Sequence, residues 1–325
     1  MCKQGNETEL VNVSVIIPMY NEGKVVQELY VRVKNVIAGV GKNCEIIFID
    51  DGSTDETFKE LKKIQEKDRC VRLIKLRGNF GQTAALAAGF DHARGEIMIA
   101  LDGDLQHFPE DIPNFLKKMD EGYDIVSGWR ENRKDPFFSR RFPSKIANWL
   151  MAKISGISLR DFGTTFKAYR REVIEELNLY GQFHRFIPVL ASPRKVRIAE
   201  IPIQNEPQKY RKSHYNITRT FTVFFDLIRL NFLNKFFTRP LQIFGTLGLT
   251  MDFVGACITF YLIYLKYAKG LGLLEYRAPL FLLAILLIIT GILFIILGLI
   301  GEMIVKLFHD LTKGKIYSVD KIYQS

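Results

Sequence analysis

Two carboxylates one residue apart, Asp102 and Asp104, close the short apolar run in Ile99-Ala-Leu-Asp-Gly-Asp-Leu-Gln106. Side chains at i and i+2 of an extended segment point the same way, so this pair can converge on one cation. Oxygen ligands with no His or Cys among the coordinating candidates suit Mg²⁺ or Mn²⁺, which keep several waters and complete their shell with substrate phosphates. Asp-Gly is also a common turn dipeptide, and the motif alone does not separate a turn from a metal site. Further acidic residues, Glu22, Asp50 and Asp51, close two earlier apolar runs.

The elements that must position these groups alternate. Val13–Pro18, Cys44–Ile49, Val71–Leu76 and Glu96–Leu101 have the continuous apolar character of strands buried on both faces, and Asp124–Trp129 adds a fifth. Between them, Val25, Leu29, Val33 and Ile37, then Phe58, Leu61 and Ile64, then Gln82–Ala93 follow helical spacing, with Asp55 as a cap of the second helix. The pattern predicts βαβ units and an α/β fold with a mostly parallel sheet. In such sheets ligands bind beyond the carboxyl ends of the strands, and every acidic cluster named above falls at such an end. No Gly-x-Gly-x-x-Gly follows the first strand, and there is no Gly-x-x-x-x-Gly-Lys loop. Carboxylates repel a bare diphosphate, so a nucleotide bridged by a cation fits these ends better.

The chain of 325 residues is 48% hydrophobic and carries a net charge of +10. Leu241–Leu265 and Pro279–Val305 each exceed the roughly 20 residues that cross a bilayer as a helix. Between Arg194 and Arg239 stand ten Lys or Arg against three acids. Basic density before a membrane span, without a nucleic-acid-binding motif, points to anionic headgroups or a phosphorylated lipid and away from nucleic acid. Ile217, Phe221, Phe224, Ile228 and Phe232 predict an amphipathic helix in the membrane interface. Met1–Glu9 is polar, so no signal peptide is expected, and the four cysteines lack metal-ligand spacing.

Val15-Ile-Ile-Pro-Met-Tyr-Asn-Glu22, Ile49-Asp-Asp-Gly-Ser-Thr-Asp55, Asn79-Phe-Gly-Gln-Thr-Ala-Ala85 and Asp102-Gly-Asp-Leu-Gln106, in this order and spacing, resemble the family 2 glycosyltransferases of GT-A (Rossmann-like) fold. The branch they resemble most comprises the polyprenyl-phosphate glycosyltransferases, including bactoprenol glucosyltransferases and dolichyl-phosphate mannose synthases. The resemblance implies that Pro18, Tyr20, Glu22 and Asp51 line the nucleoside pocket. It places Asp102 beside the sugar nucleotide, as a nucleotide-binding and catalytic residue, and Asp104 and Gln106 on the metal. It further implies Arg140 and Ser144 at the acceptor phosphate and Asp161 as a candidate catalytic carboxylate. Gln182-Phe-His-Arg-Phe186 follows the same branch. The later segment departs from it: Gln208 stands for an Arg of the pattern and Arg211 for a Gly, and Lys209 or Arg211 is the expected substitute cation for the acceptor phosphate.

The expected organisation is a GT-A domain over residues 1–210, a juxtamembrane segment over 211–240, a two-helix hairpin over 241–305 and a tail over 306–325. The catalytic domain and both termini are expected in the cytoplasm, with homo-oligomerisation through the hairpin as a further expectation. The expected activity is inverting transfer of one sugar, glucose or a related hexose, from a UDP-linked donor to a polyprenyl phosphate with Mg²⁺ or Mn²⁺. The alternatives are a processive polysaccharide synthase and an inactive scaffold of a glycan-assembly complex.

Overall fold

A computed structural model describes residues 11–131, 152, 157, 159–175, 177, 187–191, 196–206, 240–269, 277–311 and 317–324. The chain divides into two compact units, Met1–Asp226 with Lys315–Ser325, and Leu227–Gly314.

The first unit is built on an eight-stranded sheet: β1 (Val13–Met19), β2 (Cys44–Asp50), β3 (Val71–Leu76), β4 (Ile97–Ala100), β5 (Ile125–Arg130), β6 (Lys167–Arg170), β7 (Ile198–Ile203) and β8 (Val319–Tyr323), in the order β7-β5-β6-β4-β1-β2-β3-β8. β1 pairs in parallel with β2 and β4, β2 with β3, and β5 with β7; β6 and β8 run antiparallel to their neighbours. The sheet is therefore mostly parallel, as the strand–helix alternation predicts.

Helices cover both faces. Val15 and Ile17 of β1 share a core with Leu29, Val33 and Ile37 of α1 (Val26–Val40), Leu61 and Ile64 of α2 (Thr57–Lys67) and Phe115 and Met119 of α4 (Ile112–Asp120). Ile16, between them in sequence, faces the other way with Ile47, Ile49 and Ile74, onto the alanine-rich α3 (Gln82–His92). This period-two alternation, apolar on both faces, is why the strands read as unbroken hydrophobic runs. α3 lies close to the sheet: a Cβ at Gly89 would overlap Ile16 Cγ2. Two short helices, α5 (Arg171–Glu175) and α6 (Ile187–Ala191), extend the α3 side.

The last strand differs from the expectation of a tail over 306–325. β8 pairs with the edge of β3, Tyr317 is buried against α3 with its hydroxyl donating to Asp91 at 2.7 Å, and the Tyr323 ring lies 5.8 Å from that of Phe58. Only Val319, Ile322 and Tyr323 of this strand are apolar, and their partner strand lies some 240 positions earlier, so no local pattern announces the pairing.

The second unit contains α7 (Pro240–Lys269) and α8 (Ala278–Leu311), both long and apolar enough to cross a membrane. They pack along small residues: a Cβ on Gly248 would lie 2.5 Å from Gly291 O, while Phe253, Phe260 and Leu282 are exposed. Close backbone approach through glycine with apolar side chains outward is the arrangement of helices in lipid.

Candidate active site

The β1–β2 ladder places Pro18 opposite Ile49 and Met19 opposite Asp50, so the chain leaves both strands at the same level. Asn21 and Ser53 tie the two exits together: Asn21 N–H donates to Ser53 Oγ at 3.0 Å, and Thr54 N–H to Asn21 Oδ1 at 2.8 Å. Asn21 takes a left-handed backbone, φ 55°, a conformation tolerated better by Asn than by most residues. Glu22 N–H donates to Thr57 Oγ1 at 2.9 Å. Asp55 accepts from Thr57 N–H at 2.9 Å and from Gly23 N–H at 3.1 Å, so it satisfies the first helical amide of α2 while bracing the β1 exit.

Asp51 lies beside this rim. Its Oδ1 accepts Phe80 N–H at 2.8 Å and its Oδ2 accepts Gly81 N–H at 2.9 Å. Burial raises its pKa above the ordinary carboxylate value, against the lowering by these two donors. Gly52, at φ +69°, lets the loop pass: a Cβ there would lie 2.5 Å from the Gly78 carbonyl carbon. Asp51 thus holds the entrance to α3, and each oxygen keeps a second lone pair for a ligand donor.

β4 ends in the Asp102–Asp104 turn. Leu101 N–H donates to Ile16 O at 3.0 Å, and a Cβ at Gly103 would lie 2.8 Å from Pro18 O, so the turn packs on the end of β1 and brings Asp102 to Pro18. Leu105 has φ 58°, costing about 1 kcal/mol or more for a non-glycine residue, and its buried side chain holds it there. Asp104 Oδ1 accepts Gln106 N–H at 3.1 Å. Burial, then repulsion from Asp102, pushes Asp104 up to about 6. Asp102 Oδ1 accepts Gln82 Nε2 at 2.6 Å, and Asp102 Oδ2 lies 3.5 Å from His107 Nε2.

This donor set fits a hard cation. A buried carboxylate whose ionisation a neighbouring carboxylate hinders, as at Asp104, loses that penalty beside a dication. Among the described residues no group of three or more His, Cys, Asp or Glu forms a closed metal cage. A site with two protein carboxylates and open positions is the kind that Mg²⁺ or Mn²⁺ shares with a diphosphate.

Asp161 is placed differently. Arg130, at the end of β5, grips it bidentately, Nε to Oδ2 at 2.7 Å and Nη2 to Oδ1 at 3.1 Å, and Gly163 N–H adds a third bond at 3.0 Å. The Asp161 side chain is 7% exposed. A carboxylate held by a guanidinium and a backbone amide is a weak base and a strong anchor. The loop after it is fixed from below by the fully buried Lys167, whose ammonium donates to Thr164 O and to Phe162 O.

The structure therefore brings Pro18, Tyr20, Glu22 and Asp51 to one rim and Asp102, Asp104 and Gln106 to the adjoining turn. Arg140, Ser144, Arg211, Gln208 and Gln182–Phe186 lie outside the described residues. Gln82, His107, Arg130 and Lys167 carry contacts that spacing did not assign. Gln82 stands inside the quoted Asn79–Ala85 motif and His107 directly follows Gln106, so position was the available signal for both.

Residues 14–178 match the model of Glycosyl transferase family 2. The chain is 34% identical over 319 residues to the dodecaprenyl-phosphate galacturonate synthase of Rhizobium johnstonii, covering 96% of this chain and 93% of that protein. It is 36% identical over 311 residues to the undecaprenyl-phosphate 4-deoxy-4-formamido-L-arabinose transferase of Salmonella paratyphi B, covering 95% and 93%. The fold is similar to that of glucosyl-3-phosphoglycerate synthase from Mycobacterium tuberculosis, solved with Mn²⁺, UDP and glucosyl-3-phosphoglycerate (TM-score 0.52, 17% identity, 68% of this chain and 79% of that one). It is also similar to the same enzyme solved with Mg²⁺ and UDP (TM-score 0.51, 18% identity, 68% and 78%). A sheet ending in the Asp102–Asp104 turn, a family match over half the chain and relatives aligned along nearly all of it lead to one assignment: the chain belongs to glycosyltransferase family 2.

Proposed function

We propose that this protein transfers one sugar from a nucleotide-linked donor to a polyprenyl phosphate at the cytoplasmic face of a membrane, with inversion at the anomeric carbon. The observation that carries the reading is the crowded Asp102–Asp104 pair at the end of β4, in a chain that aligns almost end to end with two polyprenyl-phosphate sugar transferases. In this reading Pro18, Tyr20, Glu22 and Asp51 receive the nucleoside, and Asp102 orients the sugar nucleotide. Asp104 and Gln106 hold Mg²⁺ or Mn²⁺, which when bound offsets charge on the departing diphosphate. The acceptor phosphate is already ionised near neutral pH and attacks without a strong base, consistent with an Asp161 engaged by Arg130. Arg140, Ser144 and Arg211 supply the cationic and hydroxyl contacts to the acceptor. The donor is proposed to be a UDP-linked hexose or related sugar.

Both ends of the catalytic unit lie on one side of the bilayer in this proposal. Strands β3 and β8 share a ladder, so the chain between them crosses a membrane an even number of times, and α7 and α8 supply two crossings.

The test is to incubate membranes containing the protein with undecaprenyl phosphate and labelled UDP- and GDP-linked hexoses, a hexuronate and a 4-formamido pentose, with Mn²⁺, Mg²⁺ or chelator. A labelled lipid monophosphate sugar formed only with metal is the expected product. Polymer, or no labelled lipid from any donor, overturns the reading.

A further inference from the structure

Both oxygens of Asp102 face side chains that lead to the same place. Gln82 Nε2 has two hydrogens: one goes to Asp102 Oδ1 at 2.6 Å and the other to Thr165 Oγ1 at 3.3 Å. His107 Nε2 lies 3.5 Å from Asp102 Oδ2 and 3.4 Å from Thr164 Oγ1, its ring 5.9 Å from that of Phe166. Thr164 and Thr165 are adjacent, both almost fully buried, and belong to the loop that begins at Asp161. That loop is pinned at its start by Arg130 and at its end by Lys167. Gln82 thus bridges the donor carboxylate to the Asp161 loop through its two amide hydrogens, and beside it one His107 nitrogen, Nε2, lies within reach of both Asp102 and the Thr164 hydroxyl.

From this juxtaposition we infer that Gln82 and His107, with Thr165 and Thr164 as their far anchors, are positioning residues that make Asp102 and the Asp161 loop one rigid unit. The inference rests on the proposed donor role of Asp102 and deepens it. Gln82 is the stronger arm, because its short bond to a carboxylate is charge-assisted and both of its amide hydrogens are used. It also starts α3, whose preceding amides are held by Asp51, so the nucleoside rim is braced by the same helix. A carboxylate held from two sides loses little freedom when it binds a ligand, and that preorganisation appears as affinity. Loosening Thr165 must therefore weaken binding at Asp102 if the bridge transmits.

The experiment uses the full chain in lipid nanodiscs and reads binding of Mn²⁺ with UDP, and separately with GDP, by calorimetry and by the Mn²⁺ electron paramagnetic resonance spectrum. Gln82→Met, which keeps volume and removes both hydrogen bonds, is expected to weaken nucleotide–Mn²⁺ binding about tenfold. Thr165→Val is expected to weaken it about threefold, and Thr165→Ser to restore it. The double variant Gln82→Met/Thr165→Val is expected to bind like Gln82→Met alone, because one bridge is cut twice. Unchanged binding in Thr165→Val, or additive losses in the double variant, overturns the inference while leaving the donor site intact. Absence of nucleotide–Mn²⁺ binding by the unmodified protein overturns the functional reading as well. Were Thr165→Val to misfold, Thr165→Ala read against Thr165→Ser gives the same comparison.

Discussion

Asp51 and Asp161 on one hand, and Asp102 and Asp104 on the other, are the same side chain at ends of one sheet put to opposite uses. Asp51 and Asp161 take hydrogen bonds from the protein's own backbone amides and, for Asp161, from a guanidinium. Those bonds hold the loops that carry them. Asp102 and Asp104 crowd each other on a turn, and burial and repulsion push Asp104 up to about 6. A carboxylate left in that condition is suited to a cation from outside. Type and spacing alone do not separate the two classes; the charges around each one do, a guanidinium beside Asp161 and a second carboxylate beside Asp104.

The comparison can be broken first at its acidic end. Asp104→Asn is expected to lower sugar transfer by at least about 100-fold, the scale on which a principal electrostatic contact to a reacting charge acts. Its Mn²⁺ dependence should flatten at the same time. Transfer retained at a tenth of the original rate would move Asp104 out of the metal shell.

The second test is at the clamped end. Arg130→Gln leaves Asp161 buried without its guanidinium, and breaking a buried pair costs about 3–5 kcal/mol. For a domain of this size that is a fall of roughly 6–20 °C in the unfolding midpoint, read in detergent or nanodiscs. A variant that loses activity at an unchanged midpoint would make Arg130 a ligand-binding group and not an anchor.

Asp51→Asn should have a smaller effect than either. An amide keeps one acceptor for Phe80 or Gly81 and turns a donor toward the other, at a cost of about 1–3 kcal/mol to the loop. A raised KM for the donor with kcat changed less is expected, since in the proposed site the loop frames the nucleoside and not the reacting carbon. The reverse split would place Asp51 nearer the chemistry.

The smallest effect belongs to Asp50, fully buried, with Oδ2 unpartnered among the described residues. Burial raises its folded pKa above the ordinary value, so ionisation opposes folding. The cost is absent below the unfolded pKa of about 3.9 and fully present once pH passes the folded pKa. Asp50→Asn should therefore raise the midpoint by a few degrees at pH 7 and leave it unchanged near pH 3.5. A variant that destabilises at pH 7 would put Asp50 with the clamps.

Much of this was legible before any coordinates. Continuous Val/Ile runs ending in acids located β1, β2 and β4, because strands buried on both faces cannot hide their composition. The Asp102–Asp104 turn was found for the same reason. What escaped depended on distant partners. β6 is four residues long and contains a buried Lys167, which reads as polar until Phe162 and Thr164 offer it carbonyls. The anchoring of Asp161 needs Arg130 from another strand, and Gln82 acquires meaning only when α3 carries it to Asp102. Spacing reports local geometry, whereas charge satisfaction is a tertiary property.

The pairing of β8 with β3 has a consequence for biosynthesis. A ribosome delivers β1 to β7 first, then two helices destined for lipid, and only afterwards the strand that covers the edge of β3. Until then β3 presents unpaired amides and carbonyls, an edge open to wrong partners. In the proposed two-crossing topology, the sheet is completed only after the apolar hairpin has been made and its far end has returned to the starting side. On that topology correct insertion is a precondition of a finished sheet, and a chain whose second helix fails to cross is left with an unsealed edge.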